Sequence, residues 1–314
     1  MKLILLRRKM LRPPGPLYDF SSFMFNNGGA TGRFGPSLAN LLSGYNTSTN
    51  PWLENPAFFD SDAGVQLWTV PEGATYRIEV WGAEGGEADR FGSWGRGARM
   101  RGDVYLTRGQ VVSILVGQQG FGSSYSASGG GASAVWSGTD PLVIAGGGGG
   151  GRTDGTNAGS PDGRTSLNGA DGAGNTYFDN RGAGYGGVDG NGGEGTLNRG
   201  HGGGGFFTAG YVIEGTIDDP DLPRAGDALL NGGVGGDYTR NGGFGGGGGA
   251  RQESGSGLPG GGGGGGYSGG GGGRASGGHS AVGGGGGSIN VGTNQFNSSG
   301  VRSGHGQVSI TKLD

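Results

Sequence analysis

Cysteine is absent from the 314 residues, so the fold can rest on neither a disulfide nor a thiolate-held metal, and the redox compartment stays open. Lysine is nearly absent: Lys2, Lys9 and Lys312 are the only three. A phosphate-cradling P-loop needs Gly-Lys-Ser/Thr, which the chain between Lys9 and Lys312 cannot supply. Matches to G-x-G-x-x-G recur, but glycine abundance alone produces them, and no helical pattern follows any of them. Long apolar runs are missing as well. Leu3–Leu6 is followed by Arg7, Arg8 and Lys9, the reverse of the charge order in a secretory signal, and no stretch is long enough to span a bilayer. Excess positive charge is lacking too. The formal net charge is −3, and no Arg-Gly-Gly repeats occur, which argues against nucleic acid as a partner. No cleaved signal and no membrane insertion are expected.

What is abundant is glycine: 87 residues, against a hydrophobic fraction of 31%. Most of the glycines lie beyond Ser128, whereas the apolar runs are concentrated before it. The chain is therefore two materials, one able to bury a core and one not.

In the first material, strand-sized segments recur between turn signals. Gln66–Val70 ends at Pro71-Glu72-Gly73. Tyr76–Trp81 alternates, with Tyr76, Ile78 and Val80 on one face and Arg77 and Glu79 on the other. Arg99–Leu106 repeats the pattern, with Met100, Val104 and Leu106 expected inward and Arg99, Arg101 and Asp103 outward. Val111–Val116 is nearly all apolar, as a central strand should be. Ala132–Trp136, Leu142–Ala145 and Gln307–Lys312 complete the set, and no segment carries a convincing helical stripe. The chain is expected to be all-β. The last strand should pair with early ones, which makes the glycine-rich region a single long excursion from a sandwich. Pro13, Pro14 and Pro16 make residues 1–19 an extended arm. The sandwich then takes 20–145 and 300–314, and the glycine-rich region 146–299.

Three structures compete for that region. A flexible linker would mix glycine with Ser, Glu or Lys. Here, pure runs such as Gly146–Gly151, Gly245–Gly249, Gly260–Gly266, Gly269–Gly273 and Gly283–Gly287 alternate with inserts bearing Tyr185, Phe206, Phe207, Tyr211, Phe244 and Tyr267. Collagen requires glycine at every third position, which is absent. Packed threefold polyglycine helices remain. These rise about 3.1 Å per residue, so the seven-residue run would span roughly 22 Å. Fixing each glycine costs about 1–2 kcal/mol, so a dense lattice of N–H···O=C bonds between helices must compensate.

Constellations with chemical potential are few. His201, His279 and His305 lie in three separate inserts without paired ligand spacing, and hydrogen-bonding or interface roles fit them better than metal binding; His305 is placed to tether the last strand. Arg101-Gly-Asp103 matches a cell-adhesion tripeptide but falls inside a strand rather than at a loop tip. Asn46-Thr-Ser48 and Asn297-Ser-Ser299 are formal glycosylation acceptors, meaningful only on secretion. Asp218-Asp-Pro-Asp221 is a carboxylate cluster with a calcium-binding alternative, though its spacing is not that of an EF-hand. No serine sits in a nucleophile turn with a supporting histidine. No catalytic residue, cofactor site or metal site is assigned, and a non-enzymatic protein is expected.

Several ordered motifs carry a family resemblance. Asn26-Asn-Gly-Gly-Ala-Thr-Gly-Arg-Phe-Gly-Pro36 resembles the opening motif of the glycine-rich domain in the extracellular region of anaplastic lymphoma kinase and the related leukocyte tyrosine kinase receptor. Gly64-Val-Gln-Leu-Trp-Thr-Val-Pro71 followed by Tyr76, Ile114-Leu-Val-Gly-Gln-Gln-Gly120, Pro141-Leu-Val-Ile-Ala-Gly146 and Gly304-His-Gly-Gln-Val308 resemble further motifs in the same order. The resemblance covers roughly Phe20 to Asp314. It implies a tumour-necrosis-factor-like β-sandwich (jelly roll) with an inserted polyglycine II helix bundle. The receptor pattern has cysteines where this chain has Gly28 and Leu41, so its disulfide is missing, and the receptors' cytokine-binding role does not carry over. Structural proteins of tailed bacteriophages are also similar.

The resulting expectation is a virion structural protein of a tailed bacteriophage, at a tail tip, on a fibre or as a decoration, exposed on the virion surface after assembly in the host cytoplasm. Leu3, Ile4, Leu5, Leu6, Arg7 and Arg8 in the arm would dock onto other virion proteins. Phe206, Phe207 and Tyr211 would face outward as loop contacts to a host-surface receptor or glycan, and a homo-oligomer is among the expected assemblies. The alternative is a soluble extracellular ligand-binding module like the receptor domains. An ice-binding protein would need a strict tripeptide repeat, which is absent.

Overall fold

The computed structural model describes residues 15–88, 94–123, 126–151, 161–174, 182–196, 199–212, 225–251, 260–274 and 281–313. Their strands are β1 (Ser22–Phe25), β2 (Phe59–Asp62), β3 (Val65–Thr69), β4 (Ala74–Trp81), β5 (Gly97–Leu106), β6 (Val111–Leu115), β7 (Ser133–Ser137), β8 (Asp140–Ala145), β9 (Glu194–Gly195), β10 (Tyr211–Val212), β11 (Ile289–Asn290), β12 (Thr293–Arg302) and β13 (Gln307–Lys312). A first sheet has the order β1-β13-β4-β5-β12 and a second the order β11-β8-β7-β6-β3-β2; both are antiparallel, and the fold is all-β. The chain's last strand lies between early ones, with Val308 opposite Val80 and Phe25, and Ile310 opposite Ile78 and Phe23.

The two sheets share one core. Tyr76, Ile78, Val80, Met100, Val308 and Ile310 from the first sheet meet Trp68, Val112, Ile114, Val135 and Val143 from the second. Aromatic rings dominate one end of it. Trp68 meets Tyr76 edge-on with centroids 5.6 Å apart, and Trp52 meets Phe23 at 5.1 Å, the arrangement the ring quadrupole favours.

The sheets differ on their outer sides. The first keeps one face in water, which explains the alternation read in β4. The second is covered on both faces, because Leu115, Ala134, Trp136 and Ile144 pack outward against Phe206, Leu229 and Phe244 from the glycine-rich region. A strand buried on both sides needs apolar residues on both faces, as Val112, Ile114 and Leu115 of β6 and Val143, Ile144 and Ala145 of β8 supply.

Four details correct the sequence reading. A short helix, α1 (Leu38–Gly44), is present; Ser37 caps it, accepting the Asn40 amide, and the Asn40 side chain accepts the Ser37 amide in return. β12 begins at Thr293, so the chain re-enters the sandwich before position 300. Asp103 is outward-facing but only 5% exposed, covered by Arg77 and the Asn294 amide. The described end of the arm also packs: Leu17 donates to the Pro71 carbonyl, and Tyr18 stacks on Trp52 at 5.3 Å.

The glycine runs are bonded through their backbones with a three-residue period. Gly261 and Gly264 donate to Ala281 and Gly284, Gly262 and Gly265 to Ala127 and Gly130, and Gly263 and Gly266 to His201 and Gly204. Each partner pair is itself three residues apart in the same direction. The carbonyls of this run accept from Gly273 and Gly270, from Gly150 and Gly147, and from Gly248, counting the other way along the chain. The run thus has six neighbouring segments, three parallel and three antiparallel. A Cβ on Gly263 would fall on the Gly270 carbonyl oxygen, so only glycine fits there.

Candidate functional site

The sequence places its expected contact residues on the glycine-rich inserts, and the structure separates them. Phe206 is fully buried. Its ring meets Trp136 edge-on at 6.1 Å, and its amide donates to the Tyr267 carbonyl at 2.8 Å. It anchors the glycine-rich region to the second sheet and is no surface contact, which corrects the expectation. One apolar side chain had to cover the outer face of β7, and the first phenylalanine of the pair does so. Phe207 is 45% exposed and Tyr211 52% exposed. Phe207 packs beside Tyr267 with ring centroids 6.3 Å apart, and its amide donates to Gly190. Tyr211 pairs in parallel with Glu194. Burial raises its hydroxyl pKa, and the Glu194 charge adds to the effect. Phe207 and Tyr211 are thus the two members of the expected contact set that reach the surface.

Leu3, Ile4, Leu5, Leu6, Arg7 and Arg8 lie outside the described residues, as do His279 and the Asp218–Asp221 loop. Beside the arm's described end, Tyr18, Asp19, Phe20, Trp52, Glu72 and Lys312 line an open cleft of about 380 Å³.

The remaining candidates resolve into structural roles. His201 is buried and stacks on Tyr238 at 4.6 Å. His305 accepts the Gln119 amide at Nδ1, 3.1 Å away, and its carbonyl accepts from Arg302 Nε, so it ties the turn before β13 to the loop after β6. Burial lowers its pKa, with the Arg302 charge acting in the same direction. The Arg101-Gly-Asp103 tripeptide lies within β5, paired on both sides. Hydrogen bonds from Arg77 hold the Asp103 carboxyl below its ordinary pKa, leaving it unavailable to an adhesion receptor. Among the described residues no group of three or more His, Asp or Glu is placed to hold a metal, and no helix is long and apolar enough to cross a membrane.

Sequence reasoning passed over the wet face of the first sheet. There Arg99 lies 4.8 Å and Arg101 5.1 Å from the Phe296 ring centre, and Arg99 lies 5.6 Å from that of Trp81. The signal was visible as arginines at alternate positions of a strand, but Phe296 sits in a segment with too few apolar residues to be read as one.

Two positions singled out by the family resemblance meet in space. Gly28 has φ +56°, and a Cβ built on it lies 3.1 Å from Leu41 Cδ2 and 3.3 Å from the Leu41 amide nitrogen. The sites where the receptor pattern has its cysteines are therefore adjacent, although this chain has none.

No family model matches the chain. Over 108 residues, 34% of its length, it is 38% identical to the leukocyte tyrosine kinase receptor of Mus musculus. The matched region is 12% of that receptor, so most of the receptor has no counterpart in the match. The chain is a partial homologue of that receptor, which supports its relationship to the glycine-rich domain family of anaplastic lymphoma kinase and leukocyte tyrosine kinase receptors.

Proposed function

We propose that this protein is a non-enzymatic structural component of a tailed-bacteriophage virion, which holds a rigid glycine-rich body outward and contacts the host surface through its inserts. On this reading the sandwich is a tumour-necrosis-factor-like jelly roll and the glycine runs form a polyglycine II helix bundle inserted into it. The observation that carries the reading is the six-neighbour backbone bonding of the run Gly261–Gly266, with its three-residue period. A body made this way presents few side chains to proteases and fixes the inserts bearing Phe207 and Tyr211 in place. The N-terminal segment with Leu3–Leu6 and Arg7, Arg8 and Lys9 then serves as the attachment to other virion proteins.

Because Tyr18 packs on Trp52 and Phe58, a test of attachment must spare it. Removing residues 1–14 is expected to leave the melting temperature unchanged and to abolish incorporation into particles, read by immunogold labelling of purified virions. Normal incorporation of the shortened chain overturns the attachment role, and absence of the full chain from particles overturns the virion reading. A second reading, a soluble extracellular ligand-binding module, is favoured by the similarity to the leukocyte tyrosine kinase receptor. Recovery of the chain as a free secreted protein is the outcome that would select it.

A further inference from the structure

We propose that the wet face of the first sheet is a docking surface for an acidic protein segment, with Arg101 as its carboxylate receptor and Phe296 and Trp81 as its aromatic floor. This surface is independent of the attachment and host-contact roles proposed above.

The registers lay the face out in rows. Arg77, Glu79 and Trp81 on β4 stand opposite Asp103, Arg101 and Arg99 on β5, and Phe296 on β12 stands opposite Arg101. Three arginines therefore share one side of the sheet with two carboxylates. Arg77 is bonded to Asp103 through Nε and Nη2, at 2.8 and 3.0 Å. Arg99 is bonded to Glu79. Among the described residues Arg101 is left without a direct carboxylate partner; its guanidinium lies against the Phe296 ring, its charge acts on Asp103 only at a distance, behind the bonded Arg77, and its Nε is enclosed without a hydrogen-bond partner. Ser309, Thr311 and Gln307, which face the β4 residues from β13, carry no charge.

Arg101 carries a charge that no direct carboxylate partner compensates, and an incoming carboxylate that pairs with its terminal nitrogens, which are not enclosed as Nε is, supplies that compensation. Phe296 holds the guanidinium plane in place before the ligand arrives, so little side-chain entropy is lost on binding. The chain's net charge is −3, so this local excess of positive charge is a property of the face and not of the whole molecule. A protein occupant is favoured by composition. Trp, Phe and Arg lie at the centre, with Met24 54% exposed and Tyr105 65% exposed toward the periphery, the residue types enriched at protein interfaces. Beside them β12 is an edge strand of ten residues with no proline or lysine to block a neighbour.

The test uses the full chain and a fluorescently labelled oligo-glutamate peptide, with binding read by anisotropy at low and moderate salt. Saturable, salt-weakened binding is expected. Arg101→Gln should weaken it about tenfold or more, Arg101→Lys should fall between the two because it keeps the charge and loses the planar fork, and Phe296→Ala should weaken it about threefold. Arg108→Gln, an exposed arginine in the turn after β5, should leave it unchanged. Equal binding by wild type, Arg101→Gln and Arg108→Gln would reduce the effect to diffuse charge and overturn the proposal. So would a lack of saturable peptide binding, or Arg101-dependent binding of polysialic acid in its place.

Discussion

The sandwich and the glycine-rich region solve the same packing problem with opposite materials. In the sandwich, side chains fill the space and the backbone bonds mainly to its sheet neighbours. In the lattice, the backbone is both the filler and the glue, and most positions carry no side chain. The sandwich therefore fails when atoms are removed, and the lattice fails when atoms are added.

The largest expected effect concerns order itself. If the lattice is as tightly bonded as its hydrogen bonds indicate, amides of Gly261–Gly266 should exchange at least about a thousandfold more slowly than those of a free glycine linker, near the protection of Val111–Leu115. Exchange at linker rates would remove the basis for the comparison. Next come the two opposite substitutions. Trp68→Ala should cost about 3–5 kcal/mol by leaving a cavity in the shared core. Gly263→Ala should cost about 3 kcal/mol by forcing a methyl group onto the Gly270 carbonyl, with Gly148→Ala and Gly285→Ala behaving alike against the carbonyls of Gly95 and Asp162. Gly182→Ala, with nothing within 4 Å of its new Cβ, should stay within about 0.5 kcal/mol of the parent. Denaturant melts of the set would show whether sensitivity follows crowding or glycine content.

A smaller effect, of opposite sign, is expected at Gly28 and Leu41, whose backbones lie side by side. Pairing Gly28→Cys with Leu41→Cys should give a cross-link under oxidising conditions, visible by mass after alkylation. Closing so short a loop is worth about 2–3 kcal/mol, less about 1 kcal/mol for a Cys held at positive φ. Failure to cross-link would mean that the two backbones do not approach as described.

The smallest effect is a pH dependence at the junction. The His305 pKa is lowered in the folded state, and its Nδ1 must be unprotonated to accept from Gln119. The stabilisation is therefore complete above the unfolded value of about 6.5 and is lost as pH falls through the folded value. Melting temperatures between neutral and mildly acidic pH should fall more for the parent than for His305→Asn, and parallel curves would remove His305 as the cause.

How far the sequence could be read followed from the same contrast. β4 was legible because Tyr76, Ile78 and Val80 alternate with Arg77 and Glu79 across a half-wet sheet. β6 was legible because Val112, Ile114 and Leu115 bury on both of its faces. β12 was not, since an edge strand with water on most of its surface needs only Phe296 and Val301 as apolar residues. α1 is too short for a stripe and is carried by its cap and by buried Leu41. Phe206 and Phe207 look equivalent in sequence; which of them turns inward is decided by the uncovered face of Trp136, a feature of tertiary structure. In the lattice every glycine looks like every other, so the pairing of Gly262 with Ala127, or of Gly263 with His201, leaves no mark in composition.

The three-residue period also gives the lattice a frame. One residue inserted into Gly260–Gly266 would rotate everything after it by a third of a turn, redirecting each following N–H from its own neighbour to the next one round. Three inserted residues would restore every direction and shift only the height. Runs of this kind can therefore lengthen or shorten by threes at little cost to their surroundings, whereas a single-glycine slip, the commonest accident in a repetitive coding sequence, would be felt in six neighbouring segments at once.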